Sequence, residues 1–507
     1  MKSKGIVYLI GAGPGDAGLL TLRGAELLGR ADVVIYDALV NTDLLRLAPK
    51  AEIIYAGKRC KDHAMSQEEL SGLLVTKARE GKCVVRLKGG DPYVFGRGGE
   101  EAEELFDAEI SFEVVPGISS SIAALNYAGI PMTHREHSSS YTVITGHENP
   151  AKDGTNVDWS KVAKIPGTKV ILMGVQRIRD ITAALISHGL AAGTPVAMVR
   201  WATTGQQQSI EGTLATISDE AEKAKFSAPA VTVVGDVVKL RKKLNWFEKR
   251  PLFGRRIVVT RTRDQASQLS KQLLDRGAEV LEIPTIKIVP PTEQLQFAEV
   301  LLDLNSYDWL IFTSPNGVTT FFEMFFKAFE DLRDIGGVRI AAIGPATAAK
   351  LKELHLKVDL MPEEYVTKKI ADAFKKYESV ENLKMLLLRA EVANRELPQK
   401  LEELGAIVDD VACYKTIPES EDISGAAASL NESGADWITF TSASTVENFH
   451  ARFNLPALLK KFPGMKLVSI GPETSKAIVA LGLKAHLEAK PHTIEALVKV
   501  LETAVKK

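Results

Sequence analysis

Cysteine is nearly missing from this 507-residue chain: Cys60, Cys83 and Cys413 are its three, far apart and never as CxxC. That excludes a disulfide framework and a structural zinc site, and it fits a reducing compartment. Net charge is missing too. The 63 basic and 64 acidic residues leave −1, so the overall balance points neither to nucleic acid nor to an anionic membrane. No uninterrupted apolar run reaches the ~18 residues of a membrane span. The opening apolar stretch stops at Gly11, too early for the core of a signal peptide. The expectation is a soluble, cytoplasmic protein without a bound metal. With 45% hydrophobic and 25% charged residues the composition is ordinarily globular, and at ~150 residues per domain the length allows three or four domains.

What is present is glycine at the ends of apolar runs. The stretch 84–101, VVRLKGGDPYVFGRGGEE, begins as a buried strand and stops at Gly89-Gly90. Two glycines at a strand end let backbone come close to a ligand. Asp91 supplies a fixed acceptor and Pro92 stiffens the turn; Phe95–Gly99 form a flexible basic loop, and Glu100-Glu101 open the next helix at its positive end. Loops of this kind, at the carboxyl ends of strands, are where α/β sheets hold ligands.

The same logic recurs along the first half. An apolar run over 6–10 ends in GAGPGD, and a second over 33–36 ends at Asp37. Dinucleotide folds share this outline, but GxGxxG needs glycine where Asp16 stands, and Pro14 removes an N–H from a loop meant to donate to pyrophosphate. A ligand without phosphates fits better. Strand ends at 56–59 (AGKR) and 114–121 (VVPGISSS) follow, the serines capping a helix. GIPMTHR at 129–135 reads as the join to a second α/β unit, with strands expected at 141–145, 169–173, 196–201 and 230–234. The polar segment 148–166 reads as a loop with a short helix.

On these segments, together with VILMG (170–174) and APAVTVVGDVV (228–238), residues 5–240 resemble the uroporphyrinogen-III C-methyltransferases, tetrapyrrole methylases that use S-adenosylmethionine. The resemblance implies Asp37 and Lys58 as the proton-handling pair. It implies Pro14, Gly89, Gly90, Asp91, Val94, Ser119, Ser120, Met173, Ala202 and Ala230 as cofactor contacts. The substrate carries eight carboxylates, so Lys58, Arg59, Arg97, His134 and Arg135 become their natural partners. This family also implies a homodimer through the methylase half.

The segment 240–256 is basic and holds Pro251 and Gly254, and a linker is expected at 246–256. Beyond it the chain repeats itself. DWLIFTS at 308–314 recurs as DWITFTS, VVTR at 258–261 as LLLR, and Gly277-Ala278 as Gly405-Ala406, each 128 residues later; IGPAT at 343–347 recurs as IGPET one residue short of that offset. Thr-Ser and Gly-Pro-x-Thr at strand ends before helices offer hydroxyls and free N–H groups, a cradle for anions. No Ser/His/Asp triad and no phosphate-binding loop appear. With LLRAEVANREL (387–397), ACYKT (412–416) and FTSASTVENF (440–449), residues 253–500 resemble uroporphyrinogen-III synthases. The resemblance implies closure of hydroxymethylbilane with inversion of its last ring and no cofactor. Tyr414 then assists hydroxyl departure, and Arg261, Thr313, Ser314, Thr347, Arg389, Ser442 and Thr474 bind substrate.

The fold expected is α/β throughout: a two-domain methylase over 1–245 (about 1–134 and 135–245), then a synthase over 257–505. The synthase is expected as a pair of similar flavodoxin-like domains with a cleft between them, one about 290–413, the other about 257–289 plus 414–505. The function expected is methylation of uroporphyrinogen III to precorrin-2, on the route to sirohaem and cobalamin, with the preceding cyclisation on the same chain. The rival reading keeps the methyltransferase and makes the second half a non-catalytic tetrapyrrole-binding module.

Overall fold

The computed structural model describes residues 5–57, 65–147, 156–260, 263–363, 367–392, 395–422 and 424–505. Four five-stranded sheets organise them. The first half supplies β1 (Ile6–Gly11), β2 (Val33–Tyr36), β3 (Glu52–Tyr55), β4 (Cys83–Lys88) and β5 (Ser111–Val115), then β6 (Tyr141–Thr145), β7 (Thr168–Leu172), β8 (Pro195–Arg200), β9 (Gln208–Thr213) and β10 (Ala230–Val234). The first sheet, ordered β3-β2-β4-β1-β5, is wholly parallel, as its continuous apolar strands require, because helices cover both faces. One apolar cluster lies on each face. The second sheet, β6-β7-β10-β8-β9, is mixed. Its edge strand β9 was not anticipated, since QSIEGT carries one large apolar residue. The helix Ser120–Tyr127 belongs to the first unit, yet its Ala124 and Leu125 pack into the core of the second sheet. That shared helix fixes how the two units meet.

The second half supplies β11 (Arg256–Val259), β12 (Glu279–Glu282), β13 (Ile286–Val289), β14 (Trp309–Phe312), β15 (Arg339–Ala342), β16 (Lys384–Ala390), β17 (Ile407–Pro418), β18 (Trp437–Phe440), β19 (Lys466–Ser469) and β20 (Leu487–Glu488). The order β12-β11-β18-β19-β20 is the flavodoxin-like 2-1-3-4-5, all parallel. The other sheet, β13-β17-β16-β14-β15, repeats it, with β13 added antiparallel on the long strand β17. The repeat is therefore exchanged. The first copy gives β11 and β12 to one domain and β14 and β15 to the other, and the second copy fills the complementary places. Because β13 and the end of β17 pair with each other, 286–289 and 414–418 lie with the unit expected at about 290–413, and the chain crosses between domains at Pro284-Thr285 and Glu419.

The segment expected as a linker is folded. Tyr127 packs on Trp246 and Phe247, Trp246 Nε1 donates to the Asn126 carbonyl, and Arg250 lies over both aromatic rings. Leu252 is fully buried in the synthase core and donates its N–H to the Arg276 carbonyl. Aromatic side chains facing both ways turn a basic tether into a wedge. Among the described residues, no helix is long and apolar enough to cross a membrane.

Candidate active sites

The carboxyl ends of β1, β4 and β5 bring three backbones together. Gly13 and Gly90 exchange N–H···O bonds of 3.1 and 2.7 Å, and a Cβ on Gly117 would run into the carbonyl of Gly90. Gly90 itself has φ +70, where a side chain is strained. Asp91 clips the arrangement: Oδ1 accepts the Tyr93 N–H at 2.8 Å and Oδ2 that of Gly117 at 3.0 Å.

These loops open onto a cavity of about 1220 Å³. Around it stand Pro14, Gly89, Gly90, Asp91, Val94, Ser119, Ser120, Met173, Ala202 and Ala230, with Asp37 and Arg97 at the same cavity. Ser119 caps the helix Ser120–Tyr127 by accepting from Ser121 N. Leu172, Val199 and Val231 supply apolar wall. Phe95, Arg97, Met173, Trp201 and Thr203 all line the cavity and all have positive φ, between 47 and 70. Such backbone costs about 1–3 kcal/mol per residue and persists where surrounding structure demands it. Arg97 is exposed and paired with Glu100. His134 and Arg135 do not line the cavity; they sit on a tight turn before β6, where the His134 and His137 rings lie 4.9 Å apart. Lys58, Arg59 and Arg261 lie outside the described residues.

Several contributors escaped the motif reading. Asp16, the residue that breaks GxGxxG, ties the first loop to its surroundings: its N–H donates to Thr203 Oγ1 at 3.0 Å, Oδ2 accepts from Tyr127 Oη at 2.8 Å, and Oδ1 caps the 3₁₀ turn Ala17–Leu19. Burial, followed by the Asp16 carboxylate, pushes the Tyr127 phenol up. The far wall comes from the other half of the chain, through Ser270, Lys271, Leu274, Glu279 and Glu282. Arg46 pairs with Glu282 at 2.6 Å and Gln206 donates to Glu279 at 2.5 Å. At Gly205 the two halves approach so closely that a Cβ would strike the Glu279 backbone. Only the Asp16–Thr203 partnership had a local signal, in the aspartate that replaces glycine.

In the second half the structure brings Ser314 and Tyr414 together. Ser314 Oγ lies 3.0 Å from Tyr414 Oη and also caps the helix Pro315–Ala328. Tyr414 stands where the β16–β17 register shifts between Arg389 and Ala390, a bulge that re-aims a side chain. Burial raises the phenol pKa, opposed by the Ser314 hydrogen bond. Beside it, burial pushes the Cys413 thiol up to about 12. Thr313 Oγ1 reaches the Leu388 carbonyl at 3.4 Å. Three expected substrate ligands are turned inward instead. Thr347, 1% exposed, returns its hydroxyl to the Ile343 carbonyl, Thr474 is 3% exposed, and Arg389 is buried in a bidentate pair with Asp410. In helix-opening GPxT the threonine sits one turn in, facing the core. Ser442 caps the helix Ala443–Phe453 with Thr445, in the other domain.

Comparison with known proteins agrees with this division. Residues 6–218 match the family described as "Tetrapyrrole (Corrin/Porphyrin) Methylases" and residues 267–499 the family "Uroporphyrinogen-III synthase HemD". The chain is 38% identical over 504 residues to the "Porphyrin biosynthesis protein HemD" of Ruminiclostridium josui, covering 98% of each. It is 41% identical over 365 residues to the "Uroporphyrinogen-III C-methyltransferase" of Bacillus subtilis, covering 72% of this chain and 74% of that protein. It is 54% identical over 237 residues to the "S-adenosyl-L-methionine-dependent uroporphyrinogen III methyltransferase" of Methanosarcina barkeri, covering 46% of this chain and 93% of that one. The chain belongs to the tetrapyrrole methylase family through its first half and to the uroporphyrinogen-III synthase family through its second.

Proposed function

We propose that this chain is a bifunctional enzyme of tetrapyrrole biosynthesis: its second half closes hydroxymethylbilane to uroporphyrinogen III, and its first half methylates that product twice to precorrin-2, a precursor of sirohaem and cobalamin. The observation that carries the reading is the convergence of ten cofactor positions and Asp37 on one cavity. Glycine backbone, serine hydroxyls and apolar wall suit a nucleoside with an amino-acid tail, and Pro14 stands where a diphosphate site would need an N–H. S-adenosylmethionine, when bound, supplies a methyl group on a sulfonium. What the chain must do is hold a pyrrole carbon in line with it and take the proton that the alkylated ring loses. Asp37 is placed for that proton: it lines the cavity while the Leu39 and Gly89 N–H groups hold its oxygens at 3.0 and 3.3 Å. Arg97 is the cation on the cavity's rim for a substrate carboxylate.

In the synthase half, the hydroxyl of the bilane leaves as water and needs a proton. Tyr414 donates it, and Ser314 orients the phenol; Thr313 and Ser442, at the mouths of their helices, bind carboxylates. The homodimer implied by the methylase family is measured by light scattering on the whole chain. The deciding experiment supplies hydroxymethylbilane with and without S-adenosylmethionine. Type III uroporphyrinogen alone, replaced by a doubly methylated product once the cofactor is added, is the expected result. The type I isomer alone would leave the second half as a binding module.

A further inference from the structure

Behind Asp37 lies a set of buried charges that the reading above leaves unused. Arg86 and Lys88 are two residues apart on β4, so both point to one face of the sheet, and both are buried. Glu101, in the first turn of the helix Gly98–Asp107, meets them from that side with no exposure at all. Lys88 Nζ donates to Glu101 Oε1 at 2.7 Å, Gln67 Nε2 to the same oxygen at 3.2 Å, and Arg86 Nε lies 3.4 Å from it. The other end of the guanidinium, Nη2, lies 3.6 Å from Asp37 Oδ2, and Nη1 is anchored on the Leu87 and Ile35 carbonyls at 3.0 and 3.4 Å. Among the described residues Glu101 Oε2 has no hydrogen-bond partner. Two cations and two anions thus cancel, but of the four only Asp37 and Lys88 reach the cavity. Burying the three charged groups Arg86, Lys88 and Glu101 behind a partly exposed Asp37 is an expensive way to fill space when apolar residues would do it more stably, and such clusters gather where charge has a task.

We propose that Arg86 is a positioning residue for methyl transfer: shared between Glu101 and Asp37, it fixes the Asp37 carboxylate toward the cavity and sets a buried positive charge beside it. Glu101 sets how much of the Arg86 charge is left for Asp37, and Lys88 neutralises Glu101 from the other side. The inference rests on Asp37 being the base. It differs from a purely structural role in one respect. Removing Arg86 and removing the charge of Glu101 push the Asp37 equilibrium in opposite directions, whereas a damaged core would depress activity alike in both.

The test uses the full chain as wild type, R86Q, R86K, E101Q, D37N and the R86Q/D37N double variant. Methyl transfer to uroporphyrinogen III is followed against pH, with S-adenosylhomocysteine affinity and synthase turnover on the same molecules as folding controls. Expected for R86Q is a kcat lowered ~10–100-fold with cofactor affinity unchanged and the acidic limb of the profile moved to higher pH. E101Q moves that limb to lower pH, and R86K recovers part of the R86Q loss. In the D37N background, R86Q adds less than about twofold, the signature of two residues acting as one unit. A full R86Q penalty persisting in D37N, or limbs that stay in place in both single variants, overturns the inference while leaving Asp37 as the base. D37N with wild-type activity overturns the base assignment itself. Should R86Q lose cofactor binding, the movement of the E101Q limb to lower pH decides, and its absence rejects the proposal.

Discussion

In the methylase half, loops from two sheets meet at one cavity, five of its non-glycine lining residues hold left-handed backbone, and a carboxylate is set against buried cations. In the synthase half the corresponding strand ends carry hydroxyls that cap their own helices or return to backbone carbonyls, and Ser314 with Tyr414 is the pair to which the proposal assigns the chemistry. The difference follows the reactions. Transfer of a methyl group needs a few atoms held to fractions of an ångström, and backbone strain is the mark of that demand. Ring closure of a bilane that has lost its hydroxyl needs mainly the right folding of the substrate, which many weak contacts in a cleft supply.

The sharpest way to break this contrast is Asp37→Asn. A lost base lowers methyl transfer ~10²–10⁴-fold, and synthase turnover on the same protein stays at the wild-type rate; product mass and isomer analysis reads both at once. An equal loss in the two activities would mean that the halves share more than a chain. Gly90→Ala comes next. At φ +70 a side chain costs about 1–2 kcal/mol, so affinity for S-adenosylhomocysteine falls ~5–30-fold by calorimetry. Tyr414→Phe tests the other side: turnover drops about tenfold and does not vanish, since the phenol assists a largely conformational reaction. With its pKa raised by burial, Tyr414 keeps its proton through the neutral range, so the synthase rate shows no alkaline limb from it between pH 7 and 9. The smallest effect compares two caps. Ser314→Ala and Ser442→Ala each cost about 1 kcal/mol of stability by urea unfolding, but Ser314→Ala lowers kcat whereas Ser442→Ala raises KM and leaves kcat in place.

How far the sequence could be read depends on how local each feature is. GGDP, VVPGISS and the strands before them declare their loops because glycine and proline act within a few residues, whereas the cofactor positions rest on the resemblance to the methylase family. The 128-residue offset disclosed the two synthase units. The contacts that join distant segments stayed hidden, Tyr127 with Phe247 and Gly205 against Glu279 among them; for Asp16 with Thr203 only the aspartate in place of glycine gave a sign. Thr347 and Thr474 carried the right residue type for an anion cradle, but helix geometry turned the fourth residue of GPxT inward. Trp201 and Thr203 had no glycine to announce their positive φ.

The exchanged repeat has a consequence for how the protein is made. β11 and β12 leave the ribosome with Glu282, but their next neighbour in the sheet, β18, begins only at Trp437. At 5–20 residues per second that gap lasts ~10–30 s. During it the methylase half and the whole β13–β17 sheet can form, while β11, buried in the finished sheet, waits with a bare edge. The Arg46–Glu282 pair, the Gln206–Glu279 bond and the aromatic wedge at Trp246 and Phe247 give that orphaned pair of strands a completed surface to lean on. The first enzyme on the chain thus doubles as a nursery for the second.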